Sequence, residues 1–249
     1  MSIILRAFTC GWFQSPMTFF VGGEDRRIVR SPIPAYLIEH PKGKALFDTG
    51  LGMRFRRDIE QKLGPAETGF EFDESADIAM RLRAVDVEPS AIDWIVNSHF
   101  HADHCGGNAS IPNATVIVQS KELAFAQAAE ETPVYSAADF EAGHPIKAID
   151  GEMDLFDDGT VRIVPTAGHT PGHQSMIVKL TGGDVLLAAD CCYLKQSLDG
   201  LITSPTDHNP AKARQTLERL TAIRRQGTRI FFGHDPAFWA TLPTDMIIR

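Results

Sequence analysis

Within six positions the chain sets three histidines and an aspartate, in the run His99-Phe100-His101-Ala102-Asp103-His104. Imidazole nitrogens and carboxylate oxygens are the ligands that zinc and related divalent ions take. A lone buried histidine is ordinarily a satisfied polar group, but four ligand-type side chains in so short a run suit neither a core nor an ordinary surface. In extended backbone the side chains at i and i+2 project to one side, so His99 and His101 can converge on one ion while Asp103 and His104 follow as the chain bends. Room for two ions results. His169, Asp190 and His234 supply the remaining ligand types, so that five of the nine histidines and two aspartates sort into one two-metal site. The chemistry expected of it is metal-dependent hydrolysis, because a bound cation brings the pKa of water towards neutrality.

Each candidate ligand follows an apolar run that reads as a strand. Asp93-Trp94-Ile95-Val96-Asn97 precedes the first cluster, and Gly106-Gly107 behind it lets the backbone turn closely beneath. Val161-Arg162-Ile163-Val164-Pro165 is followed by the turn-rich Thr166-Ala167-Gly168-His169-Thr170-Pro171-Gly172-His173. Of its two histidines, His169 stands directly after the strand, whereas His173 opens the next one, Gln174 to Val178, and is placed to orient a ligand. The run 184–189 ends in Asp190 and the run 229–233 ends in His234. An aspartate closing an apolar strand is costly unless positive charge meets it, which a place between two cations provides. Amphipathic helices are expected over Ala76 to Val87 and over Pro210 to Arg225, the second with Asn209 as its cap and proline in its first turn.

The pattern His-x-His-x-Asp-His, a Gly-His-Thr-Pro-Gly-His turn, an aspartate closing a strand and a late Gly-His resembles the metallo-β-lactamase superfamily over nearly the whole chain. The resemblance implies an α/β fold, an αβ/βα sandwich of two mixed sheets flanked by helices, with residues 1–249 as a single domain. It also implies two zinc ions: one held by His99, His101 and His169, the other by Asp103, His104 and His234, with Asp190 bridging. Asp48, in Phe47-Asp48-Thr49-Gly50, matches an Asp-Thr-Gly that plays a structural part behind the ligands in that superfamily. Within it the chain is most similar to N-acyl homoserine lactonases, on Pro34 to Glu39, Pro171 to Ser175, Asp190-Cys191-Cys192-Tyr193 and Phe231 to Asp235. In those enzymes a tyrosine three residues after the bridging aspartate points its hydroxyl at the lactone carbonyl, and Tyr193 has that spacing.

Composition agrees with this reading and excludes others. At 249 residues and 43% hydrophobic content the chain can bury a substantial core, and no Gly/Ser-rich or Pro-rich linker divides it. The net charge of -8 argues against nucleic acid as partner, and the runs Arg54-Phe55-Arg56-Arg57 and Arg224-Arg225 read as solvated helix faces. Four cysteines do not make a disulfide scaffold, no apolar run reaches the length of a membrane span, and the first twenty residues lack the features of a secretory signal. A cytoplasmic protein without a membrane partner is expected, and Cys191 and Cys192 are not needed as ligands.

The expected reaction is ring opening of an N-acyl homoserine lactone by a hydroxide shared between the metals, with Tyr193 stabilising the oxyanion and Asp103 moving the proton to the departing ring oxygen. Trp12, Phe13, Met17, Phe19 and Phe20 fall in a region expected as an exposed loop. There they would form an apolar wall for an acyl chain, joined by Phe100 and Phe238 or Trp239, or else pack in the core or at a homodimer interface. Another small lactone, of the pyridoxolactone kind, would use the same metals. Hydroxyacylglutathione-type thioesterases, by the same resemblance, add a helical substrate region after the last ligand, and with fifteen residues after His234 that reading is disfavoured. Asp190 counts against β-lactam hydrolysis, and the complete ligand set counts against a non-catalytic metal-binding module.

Overall fold

A computed structural model describes residues 3–63, 69–132, 134–243 and 245–249. The first half supplies strands β1 (Ile4–Pro16), β2 (Ile28–His40), β3 (Gly43–Phe47), β4 (Phe70–Glu71), β5 (Trp94–Val96), β6 (Thr115–Gln119) and β7 (Ile146–Ile149). The second half supplies β8 (Met153–Asp154), β9 (Val161–Pro165), β10 (Gln174–Val178), β11 (Val185–Leu187), β12 (Arg229–Phe231) and β13 (Ile247–Ile248). The helices are α1 (Met17–Val21), α2 (Met53–Leu63), α3 (Ile78–Arg83), α4 (Ala102–Cys105), α5 (Ser120–Ala128), α6 (Ala137–Phe140), α7 (Lys195–Gly200), α8 (Pro210–Arg225) and α9 (Pro236–Trp239).

Two mixed sheets result. One runs β13-β1-β2-β3-β5-β6-β7, with β4 added alongside β1, and the other runs β12-β11-β10-β9-β8. Alternation along the strands builds the layers. Ala45, Phe47, Val96 and Ile117 from the first sheet meet Ile163, Met176, Leu187 and Phe231 from the second in one inner core. Their neighbours Leu46, Ile95, Val116 and Val118 point the other way, against Ile78 and Leu82 of α3 and Phe140 of α6. On the far side Leu186 and Ile230 meet Leu217 and Leu220 of α8. Both faces of each sheet are therefore covered, which is why these strands read as continuous apolar runs. The expected αβ/βα sandwich is the observed architecture.

Two elements depart from expectation. The helix expected over Ala76 to Val87 is shorter, because the Asp77 side chain accepts from Ala79 N–H at 2.8 Å and starts α3 late. Asp86, in the left-handed region at φ 59°, stands beyond its end. The stretch 12–20 is not an exposed loop. β1 continues through it to Pro16, pairing with β2 up to Pro16↔Ile28 past a register shift between Thr9 and Trp12, and α1 follows directly. Phe13 and Phe20 are buried in a cluster with Leu51, Phe55 and Tyr193, and burial of aromatic rings offsets the cost of ordering the hairpin.

α8 matches its expected bounds. The Asn209 side chain accepts from Lys212 N–H at 3.0 Å. The start of this helix also grips the turn that carries His169, for His208 N–H and Asn209 N–H donate to the carbonyls of His169 and Gly168 at 3.0 and 2.9 Å.

Candidate metal centre

The ligand candidates stand just beyond the ends of β5, β9, β11 and β12. β5 runs parallel to β3, and β11 parallel to β12, so strand ends gather at one edge. After β5 the chain passes through Ser98 and His99 into α4, whose first turn holds Asp103 and His104. Gly106 follows because a side chain there would stand 2.3 Å from the Ala102 carbonyl oxygen and 2.7 Å from Gly52 N. The expected close turn under the cluster is therefore present. Asp190 lies in a single helical turn, Ala189–Cys191, that follows β11 rather than in the strand itself.

All seven candidates come together in two groups. The ligand atoms of His99, His101, His169 and Asp190 lie within 4.8 Å of one another, and those of Asp103, His104 and His234 form a second such group. The Asp190 carboxylate touches both. Its Oδ1 is 3.1 Å from His104 Nε2 and 2.9 Å from His234 Nε2. Its Oδ2 is 3.5 Å from His169 Nε2 and 3.9 Å from His99 Nε2.

These contacts are not a hydrogen-bonded network. His99 Nε2, His104 Nε2, His234 Nε2 and Asp190 Oδ1 are fully buried and have no hydrogen-bond partner. Leaving a buried polar atom unsatisfied costs about 1–3 kcal/mol, so four of them converging in one place fit a cation and little else. The opposite ring nitrogens are held from behind, as metal-binding imidazoles require. His104 Nδ1 meets Asp48 Oδ2 at 2.8 Å, His234 Nδ1 meets the Pro32 carbonyl at 2.7 Å, and His99 Nδ1 meets Ser98 Oγ at 3.0 Å. Asp48 also accepts from Ser98 N–H at 2.7 Å, which matches its expected structural part. His173 is outside both groups and bonds Thr166 Oγ1 through Nδ1 at 2.8 Å.

The electrostatics suit the same purpose. Burial, followed by the charge of neighbouring histidines, holds His99 far below the ordinary imidazole range, and burial with His169 brings His101 down to about 3, so their lone pairs stay free. At His104 and His234 burial pulls the other way from Asp190 and Asp103, and the acids prevail, raising both. The field at that spot favours positive charge. Burial and then the nearby Asp190 push the Tyr193 phenol well above its usual range, which keeps the hydroxyl protonated and able to donate. Burial likewise raises Cys191 to about 12 and raises Cys192, so both remain thiols, and all four cysteines are free and buried.

A cleft of about 260 Å³ opens over the two groups. His101, Asp103, His169, Asp190 and His234 form its floor, and Phe13, Phe19, Phe70 and Val134 give it an apolar side. Tyr193 reaches into it, with its hydroxyl 3.2 Å from Thr206 Oγ1 and 3.4 Å from His169 Nδ1. Phe19 packs on the Tyr193 ring at 5.9 Å between centroids. Part of the expected wall is thus in place and part is not. Phe100 is fully buried and stacked on Phe140 at 4.7 Å, facing away from the cleft. Trp239 belongs to the inner core, where its Nε1 donates to Thr9 Oγ1 at 2.9 Å. Phe238 and Met17 line a different cleft beside α9. The basic run on α2 is only partly solvated: Phe55 is buried and Arg54 pairs with Asp58 and the buried Asp139. Among the described residues no helix is long and apolar enough to cross a membrane.

Residues 28–234 match the metallo-beta-lactamase superfamily. The chain belongs to that superfamily. Its metallo-β-lactamase relatives include the N-acyl homoserine lactonase AttM of Azorhizobium caulinodans, 31% identical over 227 residues, with 84% of this chain and 83% of the relative covered. The N-acyl homoserine lactonase AiiA of Bacillus thuringiensis subsp. kurstaki is also 31% identical, over 219 residues, with 84% and 83% covered. Among solved metallo-β-lactamase folds, an N-acyl homoserine lactone hydrolase with N-hexanoyl-L-homoserine bound at its catalytic metal centre superposes with a TM-score of 0.86. It is 27% identical, and 98% of each chain is covered.

Sequence reasoning missed Ser15, Phe70, Val134 and Thr206 on the cleft of this metallo-β-lactamase fold. Thr206 stands in a Ser/Thr/Pro/Asp-rich stretch that marks a loop. Nothing in its spacing says that the loop folds back onto Tyr193.

Proposed function

We propose that the protein is a two-metal lactonase that opens the ring of N-acyl homoserine lactones, with zinc as the ion. The observation that supports this best is one cleft combining two ligand groups joined by Asp190, a protonated tyrosine hydroxyl and an aromatic side. The similarity to AttM and AiiA along most of the chain supports the same substrate class. His99, His101 and His169 would hold one ion, Asp103, His104 and His234 the other, and the Asp190 carboxylate would reach both. Bound there, the cations supply Lewis acidity at the carbonyl and acidify a water.

The chain's own residues do the rest. Phe13, Phe19 and Phe70 take the acyl chain and exclude water from one side of the lactone. The Tyr193 hydroxyl, supported by Thr206, donates a hydrogen bond to the carbonyl oxygen as negative charge gathers on it, and such a donor is worth roughly a hundredfold to a thousandfold in rate. Asp103, whose carboxylate faces the cleft, receives the proton of the attacking water and delivers it to the ring oxygen as the acyl carbon–oxygen bond breaks. The product is the open hydroxy acid. No side-chain nucleophile takes part.

A panel of lactones tests the reading, with acid release followed as kcat/KM. N-acyl homoserine lactones should outrun phosphodiesters, glutathione thioesters, β-lactams and an unsubstituted lactone. If the acyl derivatives open no faster than the bare ring, the acyl assignment fails and a small-lactone hydrolase replaces it.

A further inference from the structure

Glu122 lies in the first turn of α5, is completely buried, and is outside the sets of candidate ligands. Its carboxylate joins the two loops that carry His101 and His169. Oε1 accepts from Phe100 N–H at 3.1 Å, between His99 and His101, and from the Tyr135 hydroxyl. Oε2 accepts from the Thr170 hydroxyl at 2.6 Å and from Gly172 N–H at 3.3 Å, just after His169. The Tyr135 ring in turn stands edge-on to His101, with centroids 4.9 Å apart and planes at 89°. Gly172 fits because any side chain there would meet Glu122 N at 2.1 Å. One loop leaves the first sheet and the other leaves the second, so without this link nothing on α5 fixes their separation.

We propose that Glu122 is the positioning residue for the cation held by His99, His101 and His169, acting through the backbone beside them and through Tyr135, whereas Asp48 bonds the His104 imidazole directly; this rests on the two-metal reading above. The chemistry of the link is specific to a carboxylate. All four partners are donors, and two oxygens with about four lone pairs match them. Glutamine has the same shape but replaces one acceptor oxygen with an amide NH2, a donor that would face two donors. Removing outer partners that orient metal ligands alters metal affinity by roughly ten- to a hundredfold.

The test is zinc binding by chelator competition on the full chain, resolving the first and second ion. In Glu122→Gln one ion should weaken about ten- to a hundredfold while the other changes much less, and Tyr135→Phe should weaken the same ion by a smaller factor. Combined with His169→Ala, the glutamine change should add nothing more, because both act on one ion. A purely structural carboxylate would lower the melting temperature and weaken both ions alike, or neither, and either result overturns the inference. If Glu122→Gln does not fold, Thr170→Val, which removes one of the four bonds, is read in the same way. A wild-type chain that binds a single ion overturns the two-metal reading and this inference with it. Two ions in the wild type, both unchanged in the variants, overturns the inference alone.

Discussion

At the scale of single residues, the proposed function divides the work between Asp190, which would hold charge, and Tyr193, which would use it. Asp190 stands between two groups of imidazoles with one oxygen towards each. Two divalent cations repel each other, and a shared carboxylate offsets that repulsion. Asp190→Asn should therefore weaken both ions in an equilibrium measurement of metal content. Full retention of metal would show that the carboxylate does not bridge. Tyr193 is outside both ligand groups, and its hydroxyl bonds Thr206 Oγ1 at 3.2 Å and, at the longer distance of 3.4 Å, His169 Nδ1. Tyr193→Phe should leave metal content intact and lower kcat/KM by roughly a hundredfold to a thousandfold. Equal kinetics would make it a packing residue only.

At the scale of elements, the long hairpin of β1 and β2 decides the shape of the cleft. Because β1 runs on to Pro16 and α1 turns back at once, Phe13 and Phe19 are delivered to the cleft while Phe20 anchors the helix from below. The Phe19 carbonyl accepts from Ser204 Oγ at 2.7 Å, which also joins α1 to the loop bearing Thr206. An apolar side of this kind should favour longer acyl chains by about 0.8 kcal/mol per buried methylene until the cleft is full. Phe19→Ala should flatten that dependence, raising KM for long-chain substrates severalfold while changing short-chain kcat little. A chain-length series in both proteins checks it, and an unchanged slope would assign Phe19 to packing alone.

At the scale of the whole molecule, the candidate metal centre is also a joint. His99, His101 and His104 come from the first sheet's loops, and His169, Asp190 and His234 from the second's. Ions that bind only when both sets are assembled stabilise the folded chain by mass action. Removing metal with a chelator should abolish lactone opening and lower the melting temperature, and adding zinc should restore both. Full metal content should be two ions per chain, since seven ligands exceed what one tetrahedral zinc takes. An active, fully loaded sample with one ion would refute this.

The candidate ligand run at 99–104, the strand-end histidines and the strands that lead to them are legible in the sequence because each depends on local spacing or on burial of a continuous apolar stretch. α8 is legible to the residue, since Asn209 and Pro210 are a local cap. What only the tertiary structure decided depends on contacts between distant segments. Phe100 sits beside two candidate ligands in sequence yet turns into the outer core, while Phe19, far away in the chain and expected in the same wall, does reach the cleft. Glu122 reads locally as an ordinary acid in a helix's first turn. It becomes a link between two loops only when two sheets close on each other. β13 is two residues long and has no signal of its own, but pairing with β1 brings the chain's end back to the first sheet. Local pattern fixes which side chains can bind a metal, while the closure of the sandwich decides which others surround it.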